Sequence, residues 1–354
     1  MRFLIALMVL TRVSQSQKLL DLKDFTGSST TLINHTAPYS LYISATSDSD
    51  DLLSFLFIKT DGQQIALSHL KRNRAQEPFT HSLPFRVTTE ASIISELSVP
   101  EMNLVKGFLY LTTSSQMNDN SFYVLNVDDG RNITLDDRTF ENCTLVFLNS
   151  DMSTEPIQSS IISKWNQSSD SSVFIYQGVP SGENEKNNSH IFSNPVLTSS
   201  GMRFIDWVEK FSISLPAFYM KTHKSFQFSI LADYLELNMT RTYQLTTTGF
   251  YMKPFNEPDR NITVVTMRTS SFLNEDFNKT VGANAIGSMP KGSSVTFDEK
   301  EDDAMDGFTV TPTDEITSFS TPIVGWNITF SSENATEGQF FVQYYILGYG
   351  YQYD

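Results

Sequence analysis

The chain repeats itself. The segment "GFLYLTTSSQMNDNSFYVLNV" (Gly107–Val127) reads as an apolar strand, a polar turn and an alternating strand. A similar segment returns as "PAFYMKTHKSFQFSIL" (Pro216–Leu231) and again as "VGWNITFSSENATEGQFFVQYYIL" (Val324–Leu347). In the second copy Phe226, Phe228 and Ile230 fall on one face and Gln227 and Ser229 on the other, a period of two. Such a period cannot line the stripe of a helix, so it restricts the chain to sheets. Read as hairpins, the copies recur every 105–115 residues, about the size of one β-sandwich domain. The expectation is an all-β protein of tandem antiparallel β-sandwich units with at most one or two short helices.

A second element supports the period. "FLFIKTDG" (Phe55–Gly62) and "SVFIYQG" (Ser172–Gly178) are each an apolar strand running into a glycine turn. The third unit offers "ITVVTMRTSS" (Ile262–Ser271) without the glycine. The units are read as 17–128, 129–233 and 234–354, after an N-terminal leader at 1–16. Polar, Gly- or Pro-rich stretches such as "HLKRNRAQEPFTHS", "QGVPSGENEKNNSH" and "GSMPKGSS" mark loops. One helix is predicted at Ser200–Phe211, where Phe204, Trp207, Val208 and Phe211 recur at helical spacing and would form a buried stripe.

The leader "MRFLIALMVLTRVSQSQ" carries one Arg, an apolar run and small residues at Ser14 and Ser16, the pattern of a signal peptide cleaved after Ser16. No later run reaches the ~18 apolar residues of a membrane span, and "YILGYGYQYD" is no lipid-anchor tail. A secreted, extracellular protein is expected. Its net charge of −15 repels nucleic acid and anionic membrane surfaces, and favours a soluble monomer. The 27 Phe and 14 Tyr residues suit half-buried sheet faces. With Cys143 as the one cysteine, no intramolecular disulfide can form, and apolar cores must hold the fold. Cys143 alternates with Leu145 and Phe147 and is expected to be buried.

Ten Asn-X-Ser/Thr sequons follow the leader: Asn34, Asn132, Asn142, Asn166, Asn187, Asn238, Asn261, Asn278, Asn327 and Asn334. In "RNITL" the alternation points Ile133 and Leu135 inward and Asn132 and Thr134 outward. In "WNITF" it points Trp326, Ile328 and Phe330 inward and Asn327 outward. Glycosylation on solvated sheet faces is expected.

Chemistry is sparse. His35, His69, His81, His190 and His223 show no metal-ligand spacing, and no G-x-S-x-G elbow occurs. "GSMPKGSS" lacks the Gly-Lys-Ser/Thr ending of a phosphate loop. The acidic stretch "DEKEDDAMDG" (Asp298–Gly307) reads either as a solvated loop or as a weak calcium site, without the order of an EF-hand. No catalytic, cofactor-binding or metal residue is assigned, no cofactor is expected, and an enzyme is not expected.

The strand ending in a glycine turn ("FIKTDG", "FIYQG"), followed by a strand, a loop and an aromatic strand, resembles CUB domains. More narrowly, "APYSLYISATSDSDDLLSFLFIKTDG" (Ala37–Gly62) is similar to the secreted CUB-like proteins of nematodes. The resemblance implies jelly-roll sandwiches and a part in innate immune or gut-lumen defence. Paired cysteines and the calcium-binding acidic trio of many CUB domains are not found, so no functional residue carries over. The leading expectation is a secreted, glycosylated binding protein that recognises an extracellular protein or glycan through loops. The alternatives are a structural extracellular or granule protein without a discrete ligand, and a hydrolase whose site is assembled from distant residues.

Overall fold

The structure, a computed structural model, describes residues 17–26, 29–127, 130–136, 141–153, 158–180, 190–198 and 200–234. Beyond these it describes the strands 239–243, 247–254, 262–269, 279–288, 294–299, 308–310, 317–321, 326–331 and 339–348. The protein is all-β. Almost every strand pair is antiparallel, and the α-helices among the described residues are two short ones, Leu67–Arg72 and Val99–Met102. Sheet I orders the strands Lys18–Asp21, Gly107–Leu111, Tyr39–Ala45 and Phe85–Val87. Sheet II orders Thr30–Leu32, Ala91–Ser95, Leu56–Thr60 and Gln63–Ala66. Sheet III has seven strands: Phe192–Asn194, Ser172–Gln177, Ala217–His223, Asn142–Leu148, Phe122–Asn126, His81–Ser82 and Arg74–Ala75. Sheet IV orders Arg131–Leu135, Phe226–Tyr234, Gln158–Gln167 and Phe211–Ile213.

These four sheets lie in the order II–I–III–IV, and side-chain alternation explains why. Leu41, Ile43, Leu109 and Leu111 of sheet I share a core with Leu56, Ile58 and Ile93 of sheet II. The opposite face of sheet I presents Tyr42 and Tyr110, which pack on Phe122, Val124, Val146, Tyr176 and Tyr219 of sheet III. The other face of sheet III presents Leu125, Cys143, Leu145, Phe147, Ile175 and Phe218 to Ile133, Leu135, Ile162, Phe226 and Phe228 of sheet IV. Sheets I and III are therefore buried on both faces, and all seven residues of Tyr39–Ala45 are buried. The rings are ordered at each level. Tyr176 stacks on Tyr219 at 4.9 Å, and Phe147 on Phe218 at 4.9 Å. Phe147 and Phe218, both fully buried, each contribute about 1.5–3 kcal/mol by leaving water.

The repeated segment is not a hairpin in any copy. Gly107–Leu111 lies in sheet I and Phe122–Asn126 in sheet III. Ala217–His223 lies in sheet III and Phe226–Tyr234 in sheet IV. In the third copy Trp326–Ser331 and Gln339–Gly348 again lie in different sheets. Each copy is an arch whose two strands sit in different sheets. In the second, Phe218 and Met220 meet Phe226 and Phe228 within one core. Only Lys224 of its two linking residues has positive φ (62°), whereas a type I′ hairpin needs both. A true hairpin occurs where "TDG" stands: Thr60 pairs with Gln63 across Asp61 and Gly62, at φ 49° and 74°.

The arches interlock the segments. Phe122–Asn126 pairs in parallel with Asn142–Leu148, so sheet III draws strands from both sides of residue 128. The C-terminal strands form two five-stranded sheets. One of these, sheet V, orders Trp207–Val208, Thr247–Pro254, Gln339–Gly348, Lys279–Ser288 and Thr317–Thr321, and so spans residue 233. Sheet V is seated by amides. Buried Gln343 donates from Nε2 to the Ser193 carbonyl at 2.7 Å and accepts from the Ser193 N–H at 2.9 Å. Asn284 donates to the Leu197 carbonyl at 3.0 Å, and Tyr345 packs on Val196 and Ile205.

The predicted helix at Ser200–Phe211 is extended instead. Gly201–Arg203 pairs with Val196–Thr198, Trp207–Val208 pairs with Thr247–Thr248, and Phe211 pairs with Ile162. Three strand partners outweigh a weak local helical preference.

Candidate functional site

An open groove of about 320 Å³ lies where sheets IV and V meet. Its first wall comes from a bulge. Ser163 faces Ser229 and Asn166 faces Gln227, so Lys164 and Trp165 together oppose Phe228. Lys164 takes up the extra residue at φ 51°, a left-handed conformation that a side chain resists. The bulge turns the Trp165 indole onto Phe226, at 4.4 Å, and Phe192, at 5.3 Å. Its Nε1 donates to Gln167 Oε1 at 2.9 Å, and Gln167 Nε2 donates to the carbonyls of Ser171 and Asn194 at 3.1 and 2.8 Å. That wall is rigid.

The second wall is Asp206–Lys210. Trp207–Val208 is a two-residue strand, so its side chains point to opposite faces. Val208 takes the core face, and Trp207 is left 64% exposed. The groove that this indole borders is also lined by two carboxylate residues, Asp206 and Glu209, and two lysines, Lys164 and Lys210. In an acidic chain the groove is balanced in charge. Reading Trp207 as part of a buried helical stripe hid it. The available signal was its charged neighbourhood in "DWVEK".

The sequon asparagines with described side chains are Asn34, Asn132, Asn142 and Asn166, and all four are exposed. Ile133 and Leu135 beside Asn132 are buried, as the alternation predicts. Asn132 Oδ1 accepts from Ser229 Oγ, and Asn142 Oδ1 accepts from His223 Nδ1 at 2.9 Å. In both, the oxygen is tied to the sheet, and Nδ2, the atom a glycan is linked to, stays outside that bond. Asn132 and Asn166 flank the central strand of sheet IV, opposite Ser229 and Gln227. Asn187, Asn238, Asn261, Asn278 and Asn334 lie outside the described residues. So do the side chains of Trp326, Asn327, Ile328 and Phe330.

The other sequence candidates are not brought together into a site. Cys143 is buried, its Sγ reaching the Ser121 carbonyl at 3.3 Å. Burial, with help from Asp119, pushes its thiol up to about 12, far from a reactive thiolate. His35 contacts the Thr112 carbonyl and His81 the Phe79 carbonyl, each at 2.8 Å, in structural roles. No cluster of metal-ligating side chains occurs among the described residues. The acidic stretch begins on the strand Ser294–Glu299, and 300–307 lie outside the described residues.

A family model of transmembrane glycoproteins matches residues 36–352, nearly the whole chain. The chain belongs to that family. As a transmembrane glycoprotein family member it has, among the described residues, no helix long and apolar enough to cross a membrane. No curated protein matches it. The crystal structure of an uncharacterized Listeria monocytogenes protein, lmo2446, aligns at 11% identity and a TM-score of 0.19. That alignment covers 75% of this chain and 27% of the other, so the chain spans about a quarter of that structure's length, a likeness too slight to carry any inference.

Proposed function

We propose that this member of the transmembrane glycoprotein family is an extracellular, N-glycosylated recognition protein of the CUB-like kind. It enters the secretory route through its leader, acts as a monomer in innate or gut-lumen defence, and binds a protein or glycan without enzymatic chemistry. Its sheets I–IV, paired across apolar cores, are the sandwich scaffold that carries the recognition surface. One observation carries the reading. At Asn132 and Asn142 the side-chain oxygen is held by the sheet and the residue is exposed, which leaves the amide nitrogen open to modification. The glycoprotein description of the family and the ten sequons support it.

The test is expression of the full chain with its own leader in animal cells. The expected result is protein outside the cytosol whose mass falls on N-glycan removal, with sugar mapped to Asn132 and Asn142. Cytosolic, unmodified protein would overturn the reading.

A further inference from the structure

We propose that the groove between Lys164–Trp165 and Asp206–Lys210 is a carbohydrate subsite, with Trp207 as its stacking platform. Four observations converge on this ligand class. Trp207 offers a flat, 64% exposed indole, and an aromatic face suits the C–H face of a pyranose. Asp206, Glu209, Lys164 and Lys210 line the same groove, and carboxylates and ammonium groups are the acceptors and donors that sugar hydroxyls pair with. The two signs balance, which favours a neutral polyhydroxyl ligand over a phosphate or a polyamine. The volume, about 320 Å³, sits at the small end of ligand pockets, ~300–1,000 Å³.

Trp165 is held by Phe226, Phe192 and Gln167, so that wall of the groove is in place without a ligand. The residue that follows Trp165 in the chain is the sequon residue Asn166. The carbohydrate therefore has two sources: a separate glycan, or the sugar rooted on Asn166 of the same chain. The inference rests on the reading above only in placing the groove outside the cell.

Tryptophan-emission and calorimetric titrations of the secreted, full chain test it, with N,N′-diacetylchitobiose, mannotriose and cellotriose as probes. If the ligand is separate, at least one probe binds wild type saturably. Trp207→Ala then weakens it roughly tenfold or more, Trp207→Phe restores part of the loss, and Asn166→Gln leaves it unchanged. If the chain's own glycan fills the groove, wild type ignores the probes, Asn166→Gln binds one, and adding Trp207→Ala abolishes that binding. Both patterns support the subsite. Silence from wild type and Asn166→Gln alike, or binding that Trp207→Ala alters by less than twofold, overturns it. Because Trp207 is exposed, its replacement leaves the core intact, and an unchanged melting curve checks this. Failure here with secretion and glycosylation intact sinks the subsite and leaves the extracellular reading standing.

Discussion

Single residues set how the molecule answers to pH and to thiol reagents. The Cys143 thiol, pushed up to about 12 by burial, stays protonated and covered in the native protein. A thiol reagent at pH 8 should leave the folded chain unlabelled and label it once, fully, in denaturant. Rapid native labelling would refute the burial. Burial also raises Tyr39 to about 12, and raises Tyr42 and Tyr110 further still. The unfolded chain sheds those protons near pH 10 and the folded chain does so later. Their stabilisation is therefore complete below about pH 10 and lost as pH rises toward the folded values. At the acid end the sign reverses. The Thr89 and Thr88 hydroxyls hold the Asp61 carboxyl below its ordinary range, and Lys224 with Ser168 does the same for Asp170. That stabilisation is present above about pH 4 and fades as pH falls through the lowered values. Urea midpoints across pH should fall at both ends, and a flat profile above pH 10 would contradict the buried tyrosines.

At the level of elements, the bulge and the first arch each hold a residue in a demanding place. Lys164 sits in a left-handed conformation that glycine adopts freely, so Lys164→Gly should stabilise the fold by about 0.5–1 kcal/mol in equilibrium unfolding. Gly107 opens the first arch with no space for a side chain. An added Cβ would meet the Ser44 carbonyl and lie 2.6 Å from Ala45 Cα. Gly107→Ala should cost roughly 1–3 kcal/mol, with a lower denaturation midpoint as the readout. These elements also divide what the sequence can tell from what it cannot. Alternation is local, so the inward faces of Ile133, Leu135 and Cys143 were legible, as was the Asp61–Gly62 turn. An alternating pair of strands looks the same whether it pairs edge to edge or faces itself across a core, so the arches were not. Trp207 was misread because an i, i+3, i+4, i+7 match cannot weigh the three strand partners that claim Ser200–Phe211. The groove needs Trp165 and Trp207, 42 positions apart in the chain, and only the fold makes them neighbours.

For the whole molecule, sheets III and V each join segments that the sequence presents as a series. Gln343 is the key contact, since its buried amide completes both backbone groups of Ser193. Gln343→Ala should cost roughly 1–3 kcal/mol for each group left unpaired, and should let a protease reach the C-terminal strands sooner. An unchanged urea midpoint and unchanged cleavage would refute that seating. The tyrosine seam between sheets I and III has a practical outcome. Anyone trimming this protein to a minimal fragment at the boundary expected near residue 128 would cut through a wall of rings meant to stay dry. The severed halves would be sticky and short-lived in solution, so a workable miniature has to keep both sides of that seam together.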